Sequence, residues 1–298
     1  MSLMASVEDP MRKGLIQKIT NESLFLKLLH FVQVDGFTYE YGEQATLGGI
    51  AFRGINGTYT ADTGIVNPKI ENLAIFGGIT QVDAAIANTA GGQARANALL
   101  AKVRAAGLYF DRMVFQGNPA VTPKSFFGLN TRLTGNQLLV PAADAGNGAA
   151  MVLTDIDRLI DAVVGPNSEK ILVMCKADRR ALKKLILSAA QGAALTDVGK
   201  SLPSYDDVEI HVMDEDGDAS PILTKNETYG SSNVTSSIYC MRLGKSEVGE
   251  WVQGVVNNKL VNHTPLYQVS TYIQDLVEMI GGLAIFHGRS AARLRGVI

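Results

Sequence analysis

Acidic side chains at regular spacing are the first candidates for chemistry in this sequence. The segment DEDGD places Asp214, Asp216 and Asp218 at alternate positions, as a calcium-binding loop does. An EF-hand loop needs glycine at its sixth position for the sharp turn and glutamate at its twelfth as a bidentate ligand. Here glycine is fourth and Lys225 is twelfth, so the segment is better explained as a solvated hairpin tip.

Histidine would be the next candidate, as a zinc ligand. The four histidines lie in separate segments, without the HxxxH or HExxH spacing that brings two imidazoles onto one face of a helix. They are His30, His211, His263 and His287. Each is better explained as a surface or packed residue, and the sequence predicts no metal site.

Nucleophiles and phosphate-binding loops are equally poorly supported. Gly91-Gly92 precedes a helical segment, but no Lys-Ser/Thr pair follows it and no GxGxxG is present. Cys175 lies inside the apolar run ILVMC, which is typical of a core residue, and no GxSxG occurs. Asp155 and Asp157 lie near a predicted helix start, where carboxylates favour the helix dipole. We therefore predict no catalytic residue, no cofactor and no enzyme activity.

Composition places the chain among folded soluble proteins. Of its 298 residues, 46% are hydrophobic and 19% are charged, which is ordinary for a folded protein. The 27 basic and 29 acidic residues leave a net charge of −2, and this near-neutral balance argues against a dedicated nucleic-acid binder. Cys175 and Cys240 are far apart and have no CxxC partner, which favours a reducing cytoplasm. No run of about 18 apolar residues predicts a membrane span, and the N-terminus lacks a signal-peptide core.

The first elements that the sequence predicts form an amphipathic arm over residues 11–33. An apolar stripe formed by Leu15, Ile16 and Ile19 comes first. Either Asn21 or Ser23 is suited to cap a second short helix that carries Leu24, Phe25, Leu28 and Leu29. An exposed apolar arm is costly, so we expect it to pack on another surface.

Residues 37–68 predict a long two-stranded flap. Phe37, Tyr39 and Tyr41 alternate with polar residues in the period-two pattern of a strand, and Asn56-Gly57 is a strong hairpin-turn signal. The flap has few large aliphatic residues, and an isolated pair of strands is marginal in water. Another surface must therefore stabilise it. That surface is either its own domain or another copy of the protein.

A long helix is the strongest signal in the chain. Residues 93–114 are rich in alanine, leucine, lysine and arginine, and their apolar residues recur at three- and four-residue spacing. At about 1.5 Å per residue such a helix would be about 33 Å long. The loop GNPAVTP follows, where Gly117, Pro119 and Pro123 end the helix. It could be a ligand-binding loop or a structural joint.

The remainder, from about residue 150, has the pattern of a compact α/β region. TDIDRLIDAVVG and ADRRALKKLILSAAQG predict helices, and SEKILVMCK predicts a short buried strand between them. VEIHVMDEDGDASPILTK is interpreted as a hairpin, and NVTSSIYCMRLG as a further strand. The segment from Glu250 to the end is predicted to be extended and rich in strands.

This order of elements resembles the major capsid proteins of tailed phages with the Hong Kong 97 fold. The helix of residues 93–114 resembles the spine helix of that family. FDRMVFQGNP…FFGLN resembles its helix exit, and IGGLAIFHGRSAARLRGV resembles its closing strand and helix. Each motif is short, but the order and length of the pieces match over nearly the whole chain. The resemblance implies an α+β fold.

The resemblance also implies a division into domains. Residues 1–36 would be the N-terminal arm and residues 37–68 the extended E-loop hairpin. Residues 69–148 would form the peripheral P-domain with its spine helix at about 93–114, and residues 246–298 would return to it. Residues 150–245 would form the A-domain, which clusters around five- and six-fold axes. The loop after the spine helix would then be a joint.

A structural function follows from the same resemblance. The protein would assemble through pentamers and hexamers into an icosahedral shell around viral double-stranded DNA, with weak and non-specific DNA contact. It would be assembled in the bacterial host cytoplasm and found in the virion. Some family members form a covalent crosslink through a lysine of the E-loop. Residues 37–68 contain no lysine, so the resemblance predicts a shell without covalent crosslinks.

Two partners are expected besides further copies of the chain. Some members begin with a scaffolding segment of about a hundred residues, for which this chain has no room, so either a separate scaffolding protein is expected, together with a portal, or the chain is a processed form. The candidates for contacts between subunits all lie on the flap: Tyr39, Tyr41, Glu40, Glu43 and Arg53. Two alternatives stay open, an encapsulin-like cargo compartment with the same fold and, more distantly, a small-molecule enzyme that uses the α/β region.

Overall fold

The computed structural model describes residues 23–46, 48–89, 93–189, 203–213, 222–245, 249–265 and 271–298. Several sequence predictions lie outside this part of the chain. They concern the apolar stripe Leu15, Ile16 and Ile19 of the arm, the Gly91-Gly92 pair, the DEDGD segment and the side chain of His263.

The described residues form six α-helices and thirteen β-strands. The α-helices are α1 (Leu24–Leu28), α2 (Ala84–Thr89), α3 (Gln93–Gln116), α4 (Leu129–Arg132), α5 (Leu153–Asp161) and α6 (Lys176–Ala189). The strands are β1 (Phe31–Val34), β2 (Thr38–Thr46), β3 (Ile65–Asn72), β4 (Ala74–Asp83), β5 (Leu138–Leu139), β6 (Lys170–Met174), β7 (Ser204–Tyr205), β8 (Val208–Val212), β9 (Glu227–Tyr229), β10 (Ser232–Arg242), β11 (Val252–Pro265), β12 (Tyr272–Ile285) and β13 (Ala291–Val297).

A mixed sheet organises the α/β region. Its strand order is β5-β13-β10-β6-β8-β7, with β9 paired to β10, and α6 connects the parallel strands β6 and β8. All five residues of β6 are buried, as the short apolar run predicts. Apolar residues of α5 and α6, among them Ile156, Leu159 and Leu182, pack on one face of this sheet. Cys175 is buried beside it, as predicted for a core residue.

A second sheet of long strands carries the spine helix. Its order is β1-β11-β12-β4, and the helix α3 packs against it through residues that include Leu99, Val103 and Phe110. Near its end α3 enters the core between the two sheets. There the ring of Phe115 lies 4.8 Å from that of Tyr239 on β10, and the ring of Phe110 lies 5.9 Å from that of Phe76 on β4. The helix therefore couples both sheets.

The predicted long helix and arm helix are both present. The helix α3 begins at Gln93, as predicted, and ends at Gln116, two residues beyond the predicted end. In the arm, Ser23 rather than Asn21 caps α1, and its hydroxyl accepts a hydrogen bond from the Leu26 amide at 3.1 Å. Phe25 of this helix is fully buried in the core of its own chain.

Two sequence predictions are wrong. The described parts of VEIHVMDEDGDASPILTK, residues 208–213 and 222–225, do not pair as a hairpin, because the strand β8 is already paired on one side with β6 and on the other with β7. The second is the closing helix that the resemblance implied: AARLRGV is the strand β13, which pairs with β10 and β5, as the extended, strand-rich pattern from Glu250 onward predicts. Tertiary pairing on both edges of this strand outweighs the helix preference of its alanines.

The predicted flap is a two-stranded hairpin of β2 and β3. It extends four residues beyond the predicted boundary at Pro68, because β3 continues to Asn72. The hairpin therefore includes one lysine, Lys69, which the predicted boundary left out. The Lys69 ammonium lies 3.3 Å from the carboxylate of Glu43 on β2, so it forms an ion pair within the hairpin itself.

Candidate assembly surface

The end of the hairpin exposes large apolar side chains. Ile50, Phe52 and Ile55 are each at least 96% exposed, and Tyr59 is 63% exposed. Residues 48–70 are exposed throughout. Clustered, exposed apolar side chains of this size indicate a surface that another molecule covers.

Local hydrogen bonds organise this hairpin tip, which we define as residues 48–62. Asn56 has a φ of 65° and the amide of Gly57 donates to the carbonyl of Gly54 at 3.1 Å, which confirms the predicted turn. The guanidinium of Arg53 donates to the Gly57 carbonyl at 3.1 Å and lies 5.5 Å from the ring centre of Tyr59. Arg53 thus orders the tip of its own chain.

The other predicted contact residues lie on the stem of the hairpin. The rings of Tyr39 and Tyr41 are stacked at 5.8 Å, and the ring of Tyr41 lies 4.7 Å from that of Phe286 at the end of β12. Both tyrosines are half-buried against their own chain, Glu43 pairs with Lys69, and Glu40 is exposed. The structure places Arg53 at the tip and the other four near the root, and their role between subunits stays a prediction.

The exposed aliphatic and aromatic residues of the tip were not singled out from the sequence. A signal was present: Ile50, Phe52 and Ile55 lie just before the Asn56-Gly57 turn, where a hairpin projects farthest from its base. Apolar residues at a turn cannot reach the core of their own domain, so this position alone indicates an external partner.

A buried polar network fixes the root of the hairpin. Glu71 of β3 and Arg132 of α4 form a two-pronged ion pair, with Nη2 to Oε2 at 2.6 Å and a second bond from Nη1 to Oε1. The Arg132 guanidinium also donates to the Leu283 carbonyl at 3.0 Å. The oxygen of the Tyr41 hydroxyl lies 3.0 Å from both Glu71 Oε1 and the Ile285 carbonyl oxygen, so its one proton is shared between these two acceptors. Burial and the neighbouring carboxylate raise the pKa of Tyr41, so the hydroxyl stays a donor.

The loop after α3 is a tight joint between this network and the spine helix. The amide of Gly128 donates to the Gly117 carbonyl at 2.8 Å, and the amide of Gly117 donates to the Met113 carbonyl at 2.9 Å. A side chain at Gly128 would meet the Gly117 nitrogen and the Met113 oxygen, each at 2.6 Å. Only glycine permits this approach. The backbone closure makes the segment a structural joint.

A buried carboxylate anchors the arm helix to the spine helix. Asp111 of α3 is 0% exposed and accepts hydrogen bonds from the Ser23 hydroxyl at 2.6 Å, the Leu24 amide at 2.9 Å and the Phe25 amide at 3.1 Å. Burial raises the pKa of Asp111 from 3.8 to about 6, although these hydrogen bonds favour the charged form.

This raised pKa predicts a pH-dependent contribution to stability. The folded protein binds the Asp111 proton more tightly than the unfolded chain does. The contribution of Asp111 to the free energy of unfolding is therefore fully present below pH 3.8 and is lost as the pH rises through about 6. Urea unfolding of the dissociated subunit should show a contribution from Asp111 that grows by roughly 1 kcal/mol from pH 7 to pH 5. Asp111→Asn, which does not titrate, is the control. A difference between the two proteins that is constant with pH would contradict the prediction.

Among the shallow depressions on the described residues, one lies beside the spine helix and one at the hairpin tip. One, of about 420 Å³, runs between β4 and α3 and is lined by Ile75, Phe76, Gly77, Lys102, Ala105, Ala106 and Tyr109. The other, of about 600 Å³, lies within the hairpin tip. In the described ranges, His, Cys, Asp and Glu side chains nowhere gather in threes that could hold a metal ion. Over the same residues, the helices are too short or too polar to cross a membrane.

The comparisons with known proteins give matches only at the level of structure. No family model matches the sequence, and no curated protein matches it. The holo-SrpI encapsulin complex from Synechococcus elongatus PCC 7942 matches with a TM-score of 0.63 at 16% identity, over 98% of this chain and 96% of that one. The capsid of a native GTA particle matches with a TM-score of 0.65 at 10% identity, over 93% and 91% of the two chains.

A third similar structure is the procapsid of satellite phage P4, with a TM-score of 0.60 at 10% identity, over 100% of this chain and 94% of that one. The three matches cover nearly the whole of both chains. The chain therefore has the Hong Kong 97-like capsid fold, a mixed fold of helices and sheets, as the order of its predicted elements implied.

Proposed function

We propose that this protein is a major capsid protein, which assembles through pentamers and hexamers into an icosahedral shell around viral double-stranded DNA. The observation that carries the proposal is the exposed apolar hairpin tip with Ile50, Phe52 and Ile55. Burying such a side chain contributes about 1.5–3 kcal/mol. Covering the tip with a neighbouring subunit would therefore stabilise each contact by several kcal/mol, repeated by symmetry over a closed shell.

The two sheets support an assignment of domains within this shell. We assign the seven-stranded sheet with α5 and α6 to the A-domain, and the four-stranded sheet with α3 to the P-domain. The strand β13 lies within residues 246–298, the segment expected to return to the P-domain, yet it pairs with β10 of the seven-stranded sheet. We therefore place residues 291–297 in the A-domain and residues 249–285 in the P-domain.

The arm and the hairpin would differ in how they serve assembly. The first described turn of the arm is held in its own subunit by Asp111 and by the burial of Phe25, so α1 is an internal anchor. Within the described part of the chain, the hairpin tip has no comparable contact with its own core, and it is the element offered to a neighbour. With the ion pair of Lys69 and Glu43 satisfied inside the hairpin, the shell would be held by non-covalent contacts.

An encapsulin-like compartment is the alternative that a specific observation favours, because one of the similar structures is an encapsulin complex. Both functions predict a closed shell, and they differ in the contents. A capsid in an infected or induced bacterial cell would contain DNA and be assembled with a separate scaffolding protein and a portal. An encapsulin would contain a protein cargo.

Electron microscopy of the purified full chain tests the proposal. We expect closed shells, rings or tubes of uniform wall thickness in negative stain at high protein concentration, and nuclease-protected DNA in shells isolated from the natural source. A protein that stays a monomer or small oligomer at all concentrations would contradict the proposal. Shells that protect an enzyme instead of DNA would establish the encapsulin alternative.

A further inference from the structure

The short helix α4 connects the hairpin with the seven-stranded sheet through two nearby side chains. On one side, Arg132 forms the ion pair with Glu71 at the hairpin root. On the other side, Asn130 accepts a hydrogen bond from the guanidinium of Arg293, on the strand β13 of the seven-stranded sheet. A single helical turn therefore contacts the two parts of the subunit that the proposed function assigns to contacts with neighbours.

The residue between them ties α4 to the end of the spine helix. The Thr131 hydroxyl oxygen lies 2.9 Å from the Gly128 carbonyl oxygen and 3.2 Å from the Gly117 carbonyl oxygen, so its one proton is shared between two carbonyls of the joint. Leu129, at the start of α4, is fully buried in the core that α3 enters. A shift of α4 would therefore disturb the joint as well.

The contact of Asn130 is not needed to neutralise a charge. Arg293 is 4% exposed, its Nε donates to the Ser237 hydroxyl at 3.0 Å, and its guanidinium pairs with the Glu227 carboxylate. Asn130 itself is exposed, so its side chain does not fill the core. Loss of this one acceptor would leave the charge of Arg293 paired and the core intact. The hydrogen bond adds an orientation that these other contacts do not supply.

Apolar packing between the two sheets is a weaker constraint on their angle. The rings of Phe115 and Tyr239 meet across the core, but apolar attraction is non-directional and tolerates small rotations. A hydrogen bond weakens steeply when its angle departs from the preferred range. The polar contacts that run through α4 therefore hold the hairpin at one angle to the seven-stranded sheet.

We propose that Asn130 and Thr131 are positioning residues that set the angle between the hairpin and the seven-stranded sheet, and with it the diameter of the assembled shell. This inference rests on the proposed function, in which the hairpin tip contacts a neighbour and the A-domain forms the ring. A shell closes at one diameter when every subunit presents its contact surfaces at one angle. A hairpin that swings relative to the ring contacts would join neighbours at several curvatures.

The distribution of shell diameters in negative stain tests the positioning role. Asn130→Ala removes the acceptor for Arg293 and should widen this distribution at least about twofold, because more than one angle becomes populated. Asn130→Asp keeps a side-chain acceptor and should restore the distribution of the unaltered chain. Thr131→Val removes the hydroxyl but keeps the branched shape of the side chain, so it should widen the distribution as well.

A core variant separates positioning from stability. Ile156→Val removes one methylene group from the core around α5, where Ile156 is fully buried, and lowers the melting temperature without touching α4. Its shells should keep the diameters of the unaltered chain. The melting temperatures of all variants are measured beside the diameters, so a loss of stability is recognised as such.

The angle can also be measured in the dissociated subunit at low concentration. Spin labels on Glu40→Cys, on the hairpin stem, and Lys184→Cys, on α6, report the distance between them by pulsed electron resonance. Both positions are exposed, whereas the native Cys175 and Cys240 are buried and should stay unlabelled. Asn130→Ala should broaden this distance distribution, and Asn130→Asp should not.

The outcomes separate this inference from the proposed function. If the unaltered chain forms no shells or rings, the proposed function fails, and the inference about diameter fails with it. If the unaltered chain assembles and the shells of Asn130→Ala and Thr131→Val keep its diameters, only the positioning inference is overturned. An unchanged label distance in Asn130→Ala would overturn it too. Equal widening in Asn130→Asp or Ile156→Val would have the same consequence, because the effect would not depend on the bond to Arg293.

Discussion

Serine in place of Phe52 and Ile55 is expected to abolish shell assembly while the subunit keeps its fold. Each residue is fully exposed in the single chain, so neither substitution removes a contact within the subunit. In the shell, losing two buried side chains costs about 3–6 kcal/mol per contact. Since each 1.4 kcal/mol is tenfold in an equilibrium constant, assembly would need a protein concentration roughly a hundredfold higher or more.

The measurement is sedimentation velocity of Phe52→Ser/Ile55→Ser beside the unaltered chain, together with thermal unfolding of both. Val121→Ser is the matched control, because Val121 is also an exposed apolar residue, at 78%, but lies on the joint loop rather than on the hairpin. The control should assemble normally. Normal assembly of the tip variant, or a fall in its melting temperature that explains the loss, would refute the role of the tip.

Some features of the hairpin could be predicted from the sequence, and others could not. The hairpin, its Asn56-Gly57 turn and the spine helix depend on neighbouring residues, and their patterns predict them well. The boundary of the hairpin did not follow from the pattern, because Pro68 suggests an end to a strand. The strand continues past it to Asn72, since Pro68 lies in an open two-stranded sheet that tolerates a missing amide donor.

Contacts between distant segments lay beyond sequence reasoning. Asp111 and Ser23 are 88 positions apart, and Glu71 and Arg132 are 61 positions apart. No periodicity connects such pairs, and a single aspartate in a long helix has the same local pattern whether it faces solvent or caps another helix. The closing segment is a different case, because the resemblance implied a helix there, whereas the strand-rich pattern of its residues predicts the strand that pairs with β10 and β5.

Arg132→Ala is expected to cause the largest loss of stability among substitutions at the hairpin root. It leaves the Glu71 carboxylate buried without its cation, and breaking a buried ion pair in this way costs about 3–5 kcal/mol. Glu71 is 9% exposed, and among the described residues its other donor is the Tyr41 hydroxyl, which cannot neutralise the charge. The Leu283 carbonyl loses a donor as well, which adds to the cost.

Urea unfolding of the Phe52→Ser/Ile55→Ser background measures this loss, because that background keeps the protein dissociated. Adding Glu71→Gln to Arg132→Ala removes the unpaired charge and should recover at least about 1 kcal/mol of the free energy of unfolding. The control is Arg180→Ala, on the exposed face of α6, which should change the free energy of unfolding by less than about 0.5 kcal/mol. An Arg132→Ala variant within about 1 kcal/mol of the background would show that the ion pair does not hold the root.

A root that is held this firmly directs the hairpin tip at one place on the neighbouring subunit. In the otherwise unaltered chain, Arg132→Ala should therefore yield misassembled particles, even at temperatures where the subunit remains folded.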